Sequence, residues 1–207
     1  MTFLAEQIIP HYQRHGAEWS ALRRQGAFAE RGWLDLFVET TPHEAGSVLD
    51  LGCGGGEPIA TYLAQRGLEV TGVDTSSAML EIARSNLPFA KWIEADMRTI
   101  ALGRRFGGII AWDSFFHLTP KDQRAMFPVF ATHAVPGAAL MFTSGPAHGE
   151  AIGEFAGEPL YHASLDTEEY RALLADNGFE VVRHVAEDPE CGGHTVWLCR
   201  KHGEDRS

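Results

Sequence analysis

Four glycines fall within five residues at Gly52-Cys53-Gly54-Gly55-Gly56, with Asp50-Leu51 before them and Glu57-Pro58 after. A backbone this bare lets a ligand rest directly on peptide amides, and flanking carboxylates decide the sign of charge that the ligand can carry. The dinucleotide fingerprint G-x-G-x-x-G needs its third glycine at position 57, where Glu57 stands. Asp50 and Glu57 would repel a pyrophosphate and suit a cation. Three more acids, Asp74, Asp96 and Asp113, follow at intervals. Asp74 lies 22 residues after Gly52, the span at which a βαβ unit presents a carboxylate to ribose hydroxyls. One carboxylate can accept from two hydroxyls at once, so a single side chain can recognise a sugar.

Strand ends must hold these acids. The apolar run Val48 to Leu51 stops at the glycines, and a helix follows over Ile59 to Arg66, with Pro58 in its first turn. Leu68 to Asp74 reads as a second strand, and Thr75-Ser76-Ser77 caps a helix over Ala78 to Ser85. A third strand, about Ala90 to Ala95, ends in Asp96-Met97, and a fourth, Phe106 to Trp112, ends in Asp113-Ser114. Thr119-Pro120 starts a helix through His133, and a fifth strand lies around Ala138 to Thr143. Asp166 with Glu169 forms a capping box for a helix that stops at Asn177-Gly178. Phe179 to Val185 and His194 to Arg200 are the last two strands. The order is that of a doubly wound α/β domain, in which ligands lie over the carboxyl ends of the strands.

The motif Asp50-x-Gly52-x-Gly54-x-Gly56, with acids at the ends of strands two, three and four, resembles the class I S-adenosylmethionine (SAM) methyltransferases, in particular the compact bacterial-type small-molecule enzymes. The resemblance covers about Val48 to Lys201, with specific motifs as far as Ser114 and only architecture beyond. It implies a Rossmann-like seven-stranded sheet of order 3-2-1-4-5-7-6, with strand 7 antiparallel and helices on both faces. It implies SAM as cofactor, S-adenosylhomocysteine as product, and methyl transfer to an O, N or S atom of a small molecule. The implied cofactor residues are Asp50, Leu51, Gly52, Cys53, Gly54 and Gly56 in the turn, then Asp74 with Thr75 at the ribose. Asp96 with Met97 would meet the adenine, and Trp112, Asp113 and Ser114 the methionine moiety. The alternatives are a catalytically silent SAM-binding regulatory protein and a protein methyltransferase. An aminopropyl transferase of this fold would need further acids after strand four, where Phe115-Phe116 stand.

Bulk properties narrow the class. The 207 residues suit one domain, and a hydrophobic content of 44% is that of a globular chain. Net charge is −11 and Arg104-Arg105 is only a short basic pair, which argues against nucleic acid as partner. Three irregularly spaced cysteines fit a reducing cytoplasm. No apolar run approaches the length of a membrane span, and Glu6 interrupts the first hydrophobic residues. The expectation is therefore a cytoplasmic monomer or homodimer with no membrane partner.

Three segments could enclose an acceptor. Within residues 1–45, Leu4, Ile8, Tyr12, His15 and Trp19 fall on one helical face, which makes this a candidate lid with Tyr12, His15 and Trp19 facing the substrate. Trp33 reads as packing. After strand four, His117 is the candidate general base, since its reference pKa lies near neutrality. Residues 145–165 carry glycines at every fourth position from Gly145 to Gly157, which discourages an isolated helix and suggests a substrate loop with His148, Tyr161 and His162. Metal-using O-methyltransferases of this fold resemble one another in an acid after strand four and an Asp-Asn pair after strand five. Strand five ends here in Thr143-Ser144-Gly145, and the ten histidines read as showing no paired i, i+4 helical spacing of the H-E-x-x-H kind. The expectation is metal-independent catalysis.

Overall fold

A computed structural model describes residues 2–203 of the chain. Seven strands form one sheet: β1 (Ser47–Leu51), β2 (Glu69–Asp74), β3 (Lys91–Glu94), β4 (Phe106–Ala111), β5 (Ala134–Ser144), and the pair β8 (Phe179–Asp188) and β9 (His194–Lys201). Their order is β3-β2-β1-β4-β5-β9-β8, with β9 antiparallel to both β5 and β8. This is the expected order, with β8 and β9 as the sixth and seventh strands of the sheet.

Alternation along the central strands divides the core. Val48 and Ile110 face α3 (Arg31–Thr40) and α4 (Ile59–Gln65), where Trp33, Leu34, Phe37, Ala60 and Leu63 are buried. Leu49, Leu51 and Ile109 face the other side, where α6 (Pro120–His133) and α7 (Thr167–Asp176) bring in Phe127, Phe130 and Tyr170. Each fully buried phenylalanine there contributes about 1.5–3 kcal/mol. The helix starts follow the sequence signals. Ser76 caps α5 (Ser77–Asn86) by accepting from Met79 N, and Thr119 caps α6 by accepting from Asp122 N. Asp166 caps α7 through Glu168 N. No reciprocal bond from Glu169 accompanies it, because that side chain pairs instead with Arg124. Trp33 is a packing residue as expected, and its Nε1 donates to Asp188 Oδ2 at 2.8 Å.

Two regions differ from expectation. The N-terminal face is two helices, α1 (Thr2–Glu6) and α2 (Ile8–Gln25), and α2 packs against α5 while α1 packs against β7 (Glu158–Ser164). Residues 145–165 are not a loop. They form a two-stranded antiparallel hairpin, β6 (Gly149–Phe155) and β7 (Glu158–Ser164). Ala156 and Gly157 connect the strands at φ of 53° and 75°, the left-handed pair that a two-residue hairpin turn requires. The glycine spacing that disfavours a helix is thus absorbed by a ribbon. Gln123 anchors it: its Nε2 donates to Ala163 O at 2.9 Å, and its Oε1 accepts from Tyr170 Oη at 2.6 Å. Among the described residues, no helix is long and apolar enough to cross a membrane.

Candidate active site

A cavity of about 480 Å³ opens over the carboxyl ends of β1, β2 and β4, within the size range of small-molecule sites. Its floor is the glycine turn. Gly52, Gly54 and Gly56 have φ of 74°, 52° and 75°. At Gly52 the reason is also steric: a Cβ there would stand 2.3 Å from Ser114 Cβ. That serine is fixed, since its Oγ donates to Leu51 O at 2.7 Å. Asp74 ties the turn to β2, its Oδ2 accepting from Gly54 N at 2.9 Å and its Oδ1 from Ser76 N at 2.8 Å. This carboxylate has more lone-pair sites than these two bonds use.

The acids give the cavity its chemistry. Burial, with Asp74 beside it, pushes the Asp50 carboxyl up to about 7. Burial also raises the Asp74 pKa, against the lowering effect of the backbone amides of Ser76, Gly54 and Thr75. Two adjacent buried carboxylates resist ionising together and invite a positive charge between them. Asp113, at φ 49°, is turned so that its Oδ1 meets His194 Nε2 at 3.0 Å, and this bond raises the His194 pKa. Partial burial raises the pKa of Asp96, but its hydrogen bonds to Arg98 outweigh this and the net shift is downward. Both Asp96 oxygens accept from Arg98, so a ligand at Asp96 must share it. Trp112 Nε1 is buried in the cavity wall with no partner. Thr75, Cys53 and Met97 complete this part of the lining, while Leu51 stays within the core.

At another wall, Tyr12 and His117 meet. Phe115 is fully buried in the aromatic core, which pins the short 3-10 turn Phe115–His117 and aims His117 back toward α2. His117 Nδ1 lies 2.8 Å from Tyr161 O. A carbonyl only accepts, so Nδ1 carries the proton and Nε2 presents a lone pair. Tyr12 Oη donates to that lone pair at 3.0 Å. Burial depresses His117 to about 4, and burial raises Tyr12 well beyond its usual range, so both stay neutral around pH 7.

Tyr12, Trp19 and His117 line the cavity, but His15, His148 and Tyr161 do not. His148 is exposed, and Tyr161 turns its ring into the hairpin, where Oη donates to Glu150 Oε1 at 2.8 Å. Tyr161 reaches the site only through its carbonyl. His15 pairs with Glu158. Ser20 and Arg23 also line the cavity, although neither was singled out in the sequence. The signal was present, because they extend the Tyr12–Trp19 face of α2 by one further turn. His11 was passed over as well, and His15, expected to face the substrate, turns instead to the same cluster as His11. Contrary to the expected spacing, they form an i, i+4 pair whose third partner, Glu158, lies 143 residues from His15.

Residues 48–137 match the family described as "Methyltransferase domain". The dTDP-3-amino-3,4,6-trideoxy-alpha-D-glucopyranose N,N-dimethyltransferase of Streptomyces venezuelae is 35% identical over 109 residues, 52% of this chain and 45% of that protein. The trans-aconitate 2-methyltransferase of an Azoarcus strain is 35% identical over 112 residues, 53% of this chain and 43% of that protein. The chain thus spans less than half the length of these curated relatives. Among solved structures, the SAM-bound amino pentose methyltransferase CalS10 of Micromonospora echinaspora superposes with a TM-score of 0.71 at 22% identity, covering 89% of this chain and 96% of that one. The sugar N-methyltransferase KedS8 of a Streptoalloteichus species gives 0.72 at 20% identity, covering 90% and 92%. The matched residues 48–137 carry the glycine turn and the acid-tipped strands, and with the sheet order shared with these solved methyltransferases they support the resemblance to the class I SAM-dependent methyltransferases.

Proposed function

We propose that the cavity binds SAM and directs its methyl group onto an O, N or S atom of a small molecule seated against Tyr12 and His117. The observation that carries this reading is that one cavity joins a glycine turn flanked by Asp50 and Asp74 to a neutral Tyr–His pair. The residues present suit the donor. Asp74 has free lone pairs for ribose hydroxyls, and Asp96 and Met97 stand where adenine is expected. Asp50 and Asp113 favour an ammonium or a sulfonium, and Arg23, which also pairs with Glu30, is a cation in the same lining. When bound, SAM supplies a methyl group on a sulfonium that is already a good leaving group.

The protein's own task is then positioning and the exclusion of water. Holding reactants in line can supply about 7–11 kcal/mol of a barrier in the best intramolecular models. Tyr12 Oη accepts the N–H or O–H of the nucleophile while donating its own proton to His117 Nε2. With a pKa near 4, His117 does not strip a hydroxyl in advance. It takes up the proton as the nucleophile becomes positive during transfer. Helices α1 and α2 act as the lid.

Relatives with amino-sugar and tricarboxylate acceptors suggest the first acceptors to try. Methyl-labelled SAM is incubated with the protein and, in turn, a nucleotide-linked amino sugar, trans-aconitate, a small-molecule extract and a protein extract. Label is expected in a small molecule. Label confined to protein would support a protein methyltransferase, and SAM binding without any transfer would support a silent SAM-binding protein.

A further inference from the structure

Outside the cavity, a second polar cluster clasps the two elements that enclose Tyr12 and His117. His11 and His15 stand one turn apart on α2, and Glu158 opens β7 directly after the hairpin turn. Glu158 Oε2 lies 3.4 Å from His11 Nδ1, and Oε1 lies 3.1 Å from His15 Nε2. All three ligand atoms fall within 4.8 Å of one another, and none of the three residues lines the cavity. We propose that His11, His15 and Glu158 form a site for a divalent cation of the zinc type, joining α2 to the hairpin.

The donor set and its spacing carry the proposal. A tetrahedral ion with arms of about 2.0–2.1 Å sets neighbouring ligand atoms about 3.3–3.4 Å apart. The carboxylate–imidazole contacts of 3.4 and 3.1 Å, made by different oxygens of Glu158, are close to that value, and one donor atom from each residue already lies within 4.8 Å of the others, so the three have to draw together only slightly around an ion. Two imidazoles and one carboxylate select a borderline-soft ion over Mg²⁺ or Ca²⁺, which prefer all-oxygen shells. His15 and Glu158 keep 24% and 39% of their side-chain surface exposed, which leaves room for water at a fourth position.

The buried ring of His11 is also poorly satisfied by the protein alone. It is 1% exposed, its Nδ1 contact of 3.4 Å is at the limit of a hydrogen bond, and its Nε2 has no partner. Phe155 packs edge-on against both imidazoles and holds the cluster together. Arg14 also pairs with Glu158 Oε2, but its side chain is 48% exposed and can turn to solvent when an ion supplies the countercharge. An ion here would fix α2, which carries Tyr12, to the strand whose Tyr161 carbonyl orients His117. The site's role is to position that pair. Its existence does not depend on what the cavity binds.

The test uses the full chain, freed of metal by a chelator and titrated calorimetrically with Zn²⁺ and with Mg²⁺. One equivalent of Zn²⁺ should bind and raise the melting temperature, and Mg²⁺ should do neither. Glu158→Gln and His15→Gln, both on the more exposed side, should each weaken Zn²⁺ by more than about tenfold. Circular dichroism and SAM affinity should be unchanged in both variants. Co²⁺ in place of Zn²⁺ should show the visible bands of a four-coordinate ion that sharpen only with both residues intact. Absence of one-to-one Zn²⁺ binding, or binding that survives in both variants, overturns the site.

Discussion

Tyr12 Oη stands 3.0 Å from His117 Nε2 across 105 residues of sequence, and the Tyr161 carbonyl behind the ring fixes which nitrogen carries the proton. Three separate segments therefore set one hydrogen-bonded pair: the N-terminal helix, the turn after β4 and the hairpin. Each has its own anchor, with α2 on α5, Phe115 in the aromatic core, and the hairpin on Gln123.

This arrangement makes the pair's kinetic contribution measurable. His117→Ala should lower kcat by about 10²-fold or more at saturating acceptor, the usual worth of a positioned base. Tyr12→Phe should cost roughly tenfold, as the relay loses its hydroxyl but the base remains. SAM affinity, measured by calorimetry, should stay that of the parent in both. An unchanged kcat in His117→Ala would make the ring a structural element only.

Asp50 brings a pH dependence whose sign is fixed by its elevated pKa. Its folded value is about 7 against an ordinary 3.8, because burial and the neighbouring Asp74 disfavour its charge. The folded chain thus keeps a proton that the unfolded chain has released. The stability this group contributes is present at low pH and is lost as pH rises from about 4 to about 7. Subtracting the urea-unfolding profile of Asp50→Asn from that of the parent should reveal this decline. A cationic ligand reverses the preference and draws the proton off, so SAM affinity should rise from about pH 6 to about pH 8. Binding enthalpies that do not vary with the buffer's ionisation enthalpy would contradict proton release.

Gly52→Ala tests the floor of the cavity. The position sits at φ 74° and its new Cβ would meet Ser114 Cβ at 2.3 Å. The left-handed conformation alone costs about 1–2 kcal/mol. The melting temperature should fall by roughly 4 °C or more once the Ser114 contact is added, and SAM affinity should fall with it. A variant as stable as the parent would mean that the turn can relax away from Ser114.

The sheet and the acid-tipped strands were legible because their signals are local. A five-residue buried strand ending in glycines, or an Asp closing a β-branched run, is written in consecutive residues. The site's far wall was not, for two physical reasons. The hairpin turn is Ala156-Gly157, without the asparagine or aspartate that usually announces one, and regular glycines hide the alternation of β6. The partners of histidines are also non-local. Sequence spacing shows that His11 and His15 share a helical face, but it cannot show that Glu158 arrives there from a hairpin. The same holds for Tyr161, whose type suggested an aromatic contact while the chain uses its backbone carbonyl.

The central claim is that the cavity beside Asp74 is a SAM site, and calorimetric titration of SAM into the parent and Asp74→Ala tests it most directly. The parent should bind one equivalent, and the variant should lose about 1.5–3 kcal/mol, roughly 10- to 150-fold in Kd, for its lost charge-assisted hydrogen bonds. No binding to the parent, or the same Kd in both proteins, would contradict the account.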